Sequence, residues 1–171
     1  MDLTIDGRAR KFGDHINTDY IISSTRKRDT LDVSVLKQYL FEAVNPKFAA
    51  SVQPGDIIVA GRNFGCGSAM EIAATVILGA GIRAVVATTF SRTFFRNAIN
   101  NGLVPIQVET SGIKEGQSLS IRLTDAGAMV KNVTTGATTT STSGPLPGIM
   151  RAILESGGLV AYLRANGGFQ V

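Results

Sequence analysis

The chain has 171 residues, 44% hydrophobic and 18% charged, with a formal net charge of +4. That is length for one domain with a real core and the balance of a globular protein. A single cysteine excludes an internal disulfide, and with a single histidine it argues against a self-contained zinc or iron–sulfur site, which needs about four soft or imidazole ligands.

Met1–Arg10 is polar and mixed in charge, with no signal pattern. Within it Leu3–Ile5 alternates and reads as a short strand. The basic clusters Arg8–Lys11 and Arg26–Arg28 fit a solvated surface or a pocket for small polyanions; they lack the dense basic stripe with interleaved aromatics that nucleic-acid binding favours. Gly13–Asp19 reads as a loop, Tyr20–Ile22 as a brief strand, and Val33–Phe41 as a helix from its apolar spacing. Pro46 and Pro54-Gly55 break the chain before an apolar strand at Asp56–Ala60. A glycine turn follows, then a helix from Ala69 to Ala80, a strand at Arg83–Ala87, a helix at Ser91–Asn100 ended by Gly102, and a strand at Val104–Val108. This alternation predicts a parallel or mixed sheet with crossover helices. Ser118–Leu123 and Met129–Val133 read as strands, and Thr134–Ser143, nearly all Thr, Ser, Ala and Gly, as part of a hairpin-like layer. Ile149–Glu155 and Leu159–Arg164 close the chain as short helices. Apolar runs such as Ile72–Leu78 stop well short of the ~20 residues of a membrane span. The expectation is one cytoplasmic domain over residues 1–171, with no membrane partner.

Gly61-Arg-Asn-Phe-Gly-Cys-Gly-Ser-Ala-Met-Glu-Ile72 is the most informative stretch. Gly65 and Gly67 let backbone approach a ligand, and Ser68 stands at the start of a strongly apolar helix, just after a central strand, where open α/β sheets bind ligands. Ser68 and Glu71 fit a capping box. A hydroxyl at the positive end of a helix dipole also suits binding a carboxylate or easing formation of a serine alkoxide. The turn matches neither a dinucleotide fingerprint nor a phosphate loop.

Gly61–Ala73, Gly81–Ala87, Phe90–Pro105 and Gly13–Ile22 together resemble the small subunit of 3-isopropylmalate dehydratase, the swivel domain of the aconitase superfamily. Arg62-Asn-Phe-Gly-Cys-Gly-Ser68 is similar to that family's active-site turn, Arg96-Asn-Ala-Ile-Asn-Asn-Gly-Leu103 to its second helix, and Asn17-Thr18-Asp19 to its Asp-Thr-Asp loop. The resemblance implies an α/β fold of three layers, with a mixed central sheet, crossover helices and a second small β layer. It also implies a hydro-lyase, active only with a large subunit that carries a [4Fe–4S] cluster. Ser68 would be the base that removes a proton beside a carboxylate.

The resemblance breaks at position 70. An arginine that grips a substrate carboxylate in the family is Met70 here. Either the substrate carries an apolar group where the usual substrate has a carboxylate, or another cation has moved in: Arg26, Lys27 and Arg28, in the segment after Asn17-Thr18-Asp19, are the candidates, with a mobile solvated loop as the alternative reading of that segment. Asp19 resembles an acidic residue lining the site, or else caps a turn. Arg62, Arg92 and Arg96 match basic family positions and fit salt bridges or contacts with the large subunit better than catalysis. The expected site is Ser68 as base, with Gly65, Gly67, Ala69, Met70, Asp19, Arg26 and Arg28 binding substrate. The expected substrate is a 2-hydroxy-dicarboxylate, first 3-isopropylmalate. A dimethylmalate, citramalate or homoaconitate, or a non-catalytic anion-binding or regulatory module, are alternatives. Self-association of the isolated chain stays open.

Overall fold

The computed structural model describes residues 2–169. Its seven strands are β1 (Leu3–Lys11), β2 (Ile57–Ala60), β3 (Ala84–Ala87), β4 (Val104–Gln107), β5 (Ser118–Thr124), β6 (Gly127–Asn132) and β7 (Thr138–Thr140). They form one mixed sheet in the order β4-β3-β2-β1-β5-β6-β7. The long β1 joins its halves: Leu3–Arg8 pair antiparallel with β5, and Ala9–Lys11 pair parallel with β2. The second β layer expected from residues 118–143 is the antiparallel half of this sheet, continuous with the parallel half.

The parallel half is covered on both faces, so its strands are apolar on both sides. Ile58 and Ala60 of β2 face one core with α5 (Glu71–Gly79) and part of α6 (Arg92–Asn101), while Ile57 and Val59 face the other with α7 (Gly148–Glu155) and α8 (Leu159–Asn166). Short helices α1 (Thr18–Ile21), α2 (Ser24–Asp29), α3 (Val33–Leu36) and α4 (Phe48–Ser51) lie between β1 and β2.

Three expectations need correction. Tyr20–Ile22 is not a strand: Asn17 Oδ1 accepts the Asp19 N–H at 2.9 Å and caps α1. The helix expected over Val33–Phe41 divides into α3 and a 3₁₀ turn at Lys37–Tyr39. The opening strand runs six residues past Ile5 to Lys11; its Arg8 and Arg10 interrupt the apolar alternation because they serve an ion cluster around Asp56.

Candidate active site

The turn after β2 is held by neighbouring loops rather than by its own helix. The Gly65 N–H donates to the Ile16 carbonyl at 2.8 Å, the Thr18 N–H to the Cys66 carbonyl at 2.8 Å, and the Thr18 hydroxyl to the Ser68 carbonyl at 2.9 Å. On the other side the Ser91 hydroxyl, which caps α6, donates to the Gly65 carbonyl at 2.6 Å. The packing requires both glycines. Gly65 has φ +75°, and a Cβ there would fall 2.2 Å from Phe94; Gly67 has φ +92°, and a Cβ would fall 2.5 Å from the Asn17 side chain.

These bonds overturn the capping box. Drawn toward Thr18, residues 65–69 do not wind into helix; α5 starts at Glu71, with Met70 as its N-cap and no side-chain capping bond. The Ser68 carbonyl takes both the Thr18 hydroxyl and the Met70 N–H, the latter at 2.8 Å. Ser68 is exposed, and among the described residues nothing hydrogen-bonds its hydroxyl. The result is an Oγ with no hydrogen-bond partner among the described residues, two residues before the N-cap of a helix that no described side chain caps; a helix start leaves backbone donors and a dipole that favour negative charge.

The other expected residues divide. Gly65 is buried, Gly67 and Ala69 are exposed with Ser68, and Met70 is buried. Asp19 accepts the Ser24 N–H at 3.2 Å and so ties α1 to α2. Arg26 is engaged elsewhere, by two bonds to Glu42 at 2.9 and 3.0 Å and by the Tyr39 ring 3.9 Å below its guanidinium. Arg28 is exposed and pairs with no described group. It is Lys27 whose ammonium lies against Met70 Sδ. Arg62 pairs with Asp14 at 3.2 Å, and its N–H, donated to that carboxylate, together with the guanidinium holds the acid below the usual range. Arg92 and Arg96 have no ion pair among the described residues. Sequence reasoning gave no positioning role to Asn17, Thr18 and Ser91. A polar triplet beside a glycine turn and a serine opening a helix were the available signals, but their partners are distant in the chain.

A cavity of about 370 Å³ opens at the ends of the parallel strands, lined by Lys11, Asp14, Arg62, Thr88, Glu109 and Thr110 among others. It is the weaker candidate because its charged groups are already engaged. Arg62 holds Asp14, and Lys11, whose pKa burial lowers, donates to the Thr110 carbonyl at 2.6 Å. Among the described residues no three His, Cys, Asp or Glu side chains are grouped to hold a metal ion, and no helix is long and apolar enough to cross a membrane.

Residues 12–111 match the family described as the aconitase C-terminal domain. The chain is 46% identical over 160 residues to a 3-isopropylmalate dehydratase small subunit of Desulfovibrio desulfuricans, covering 92% of this chain and 94% of that one. It is 43% identical over 164 residues to a methanogen homoaconitase small subunit of Methanocaldococcus jannaschii, covering 95% and 92%. A crystal structure described as 3-isopropylmalate dehydratase from Methanocaldococcus jannaschii superposes with a TM-score of 0.89 at 41% identity, covering 96% of each chain.

Proposed function

The chain belongs to the aconitase C-terminal domain family, among small subunits of hydro-lyases of the 3-isopropylmalate dehydratase and homoaconitase type, and from that premise we propose that it supplies the proton-abstracting half of an active site. The observation that carries this reading is the exposed, unbonded Ser68 hydroxyl beside the uncapped start of α5. As an alkoxide, Ser68 Oγ takes the proton from the carbon next to a substrate carboxylate. The electron pair of that C–H bond forms the C=C bond, the neighbouring C–O bond breaks, and the hydroxyl departs as water by taking a proton from a general acid of the large subunit. Water added back in the opposite sense gives the isomer. The backbone donors of the turn and helix lower the energy of the alkoxide, and exclusion of water on closure against the large subunit strengthens them.

The donors of this chain do not fit a [4Fe–4S] cluster: Cys66 is its single cysteine. We assign that cluster to the large subunit. The substrate assigned is 3-isopropylmalate, with homoaconitate, a dimethylmalate and citramalate as the competitors to assay. An exposed serine suits a surface completed by a partner, and the chain alone is expected to be inactive.

The test is anaerobic reconstitution with the large subunit and turnover of each hydroxy-dicarboxylate. Ser68→Ala is expected to lose activity by roughly 10²–10⁴-fold, the usual worth of a positioned base. Near-native turnover in that variant refutes the role of Ser68, and no turnover of any acid by the native pair favours an anion-binding module.

A further inference from the structure

Two cations on α6 go unanswered by the chain. Arg92 and Arg96 stand one turn apart on that helix, so their side chains share a face. Both are exposed, and among the described residues neither guanidinium makes a hydrogen bond, an ion pair or a ring contact. They flank a cavity of about 210 Å³ whose apolar wall is Phe90, Phe95 and Met150, all half-buried. Gln107 reaches the cavity from the end of β4, and its side-chain amide also lacks a partner among the described residues. No Asp or Glu lines the space. The 370 Å³ cavity at the ends of the parallel strands is the opposite case, because Asp14 there holds Arg62 and the Thr110 carbonyl holds Lys11. Beside α6 a small apolar hollow is ringed by donors that nothing within the chain occupies, which is the form of a ligand site.

We propose that this cavity binds a small organic monocarboxylate with an apolar tail. The planar forks of Arg92 and Arg96 take the carboxylate, with the Gln107 amide as a further donor. The tail lies against Phe90, Phe95 and Met150. A space of 210 Å³ equals the liquid volume of about seven water molecules, which admits an acid the size of benzoate and excludes a nucleotide or a folded peptide. A second carboxylate would face only the apolar wall and be buried unpaired, so the site selects against dicarboxylates. Its one hydroxyl, on Ser143, is shared with Ser141 at 3.1 Å, and no described acid or base lines it, so it binds without reacting. The cavity shares no lining residue with the turn at 65–70, yet it adjoins what holds that turn. Ser91, between Phe90 and Arg92, donates to the Gly65 carbonyl at 2.6 Å, and Phe90 meets the Phe64 ring edge-on at 6.0 Å. An occupant resting on Phe90 steadies the segment that ties the turn down.

The probe is benzoate, titrated by calorimetry into the full chain and into the pair reconstituted with the large subunit, with acetate and inorganic phosphate as controls. Benzoate is expected to bind both preparations. Acetate, which brings no tail, and phosphate are expected to bind at least roughly 10-fold more weakly. Arg92→Gln/Arg96→Gln is expected to lower benzoate affinity roughly 10- to 100-fold, the worth of a charge-assisted hydrogen bond. The Tm of that variant stays within about 2 °C of native, since neither guanidinium bonds to the chain. Amide exchange followed by mass spectrometry should slow over residues 90–96 when benzoate is bound. Affinity unaltered by the double substitution overturns the assignment, as does acetate or phosphate binding as tightly as benzoate, or protection that falls on residues 61–71 instead. Benzoate bound by the free chain but not by the pair also overturns it, and gives the two arginines to the large subunit. None of these readings uses turnover, so they stand or fall apart from the role of Ser68.

Discussion

Two regions of this fold gather polar and charged side chains and treat them in opposite ways. Around Asp56, each described charge is answered from within the chain. Arg8 reaches the Asp56 carboxylate at 2.8 Å and Arg10 reaches it at 2.9 Å, while Arg10 also takes Glu115 at 2.9 Å and covers the Phe48 ring. Asp56 itself is 3% exposed. Around Ser68 the backbone is equally well tied, by Thr18, Ile16 and Ser91, yet among the described residues nothing hydrogen-bonds the Ser68 hydroxyl and no carboxylate pairs with the Lys27 ammonium. Groups that answer one another hold β1 to β2; at the turn the backbone is held while the side-chain groups stay unanswered.

That contrast is sharpest under substitution. Asp56→Ala leaves two guanidinium groups short of their shared carboxylate, one of them buried, and is expected to lower unfolding free energy by about 3–5 kcal/mol, measured by urea titration. Its pH dependence has a definite sign. Burial pushes the Asp56 carboxyl up, but hydrogen bonds from Arg8, the Gln53 N–H and Arg10 outweigh it and hold the pKa below the usual range. A depressed folded-state value stabilises fully above the unfolded pKa of about 4 and ceases to do so as pH falls through the folded value. Asp56→Asn should therefore flatten the acid limb of the stability curve, and an unaltered limb would show that the cluster is not what acid dissolves.

Gly65→Ala comes next. A methyl group 2.2 Å from Phe94 at φ +75° is expected to cost about 2–4 kcal/mol by the same titration. A neutral result would mean the turn is looser than its bonds indicate. The smallest shift is expected from Ser68→Ala. Its side chain caps nothing, so unfolding free energy should move by under about 0.5 kcal/mol. A larger loss would make the serine structural and erase the contrast.

The core of the fold was legible in the sequence because it follows local rules. Apolar runs beside glycine marked β2, β3 and β4, and the helix read at Ser91–Asn100 and ended by Gly102 lies close to the observed limits of α6. The candidate site could be proposed from composition, but its geometry could not. Ser68 and Glu71 satisfy a local capping pattern, and the Thr18 hydroxyl, 50 positions away, defeats it by taking the Ser68 carbonyl. The meeting of Lys27 and Met70 was hidden for the same reason, since it spans 43 positions. Arg26 looked equivalent to Lys27 until Glu42 and Tyr39 were seen to hold it.

The central claim is that Ser68 removes hydrogen from carbon, and the most direct measurement is isotope exchange. The reconstituted pair, run in deuterium oxide and followed by mass spectrometry of recovered acid, should place deuterium on the carbon beside the carboxylate. Ser68→Ala, folded and bound to its large subunit, should turn over and exchange roughly 10²–10⁴-fold more slowly than the native pair. Deuterium appearing at that carbon at the native rate in the alanine variant would contradict the account.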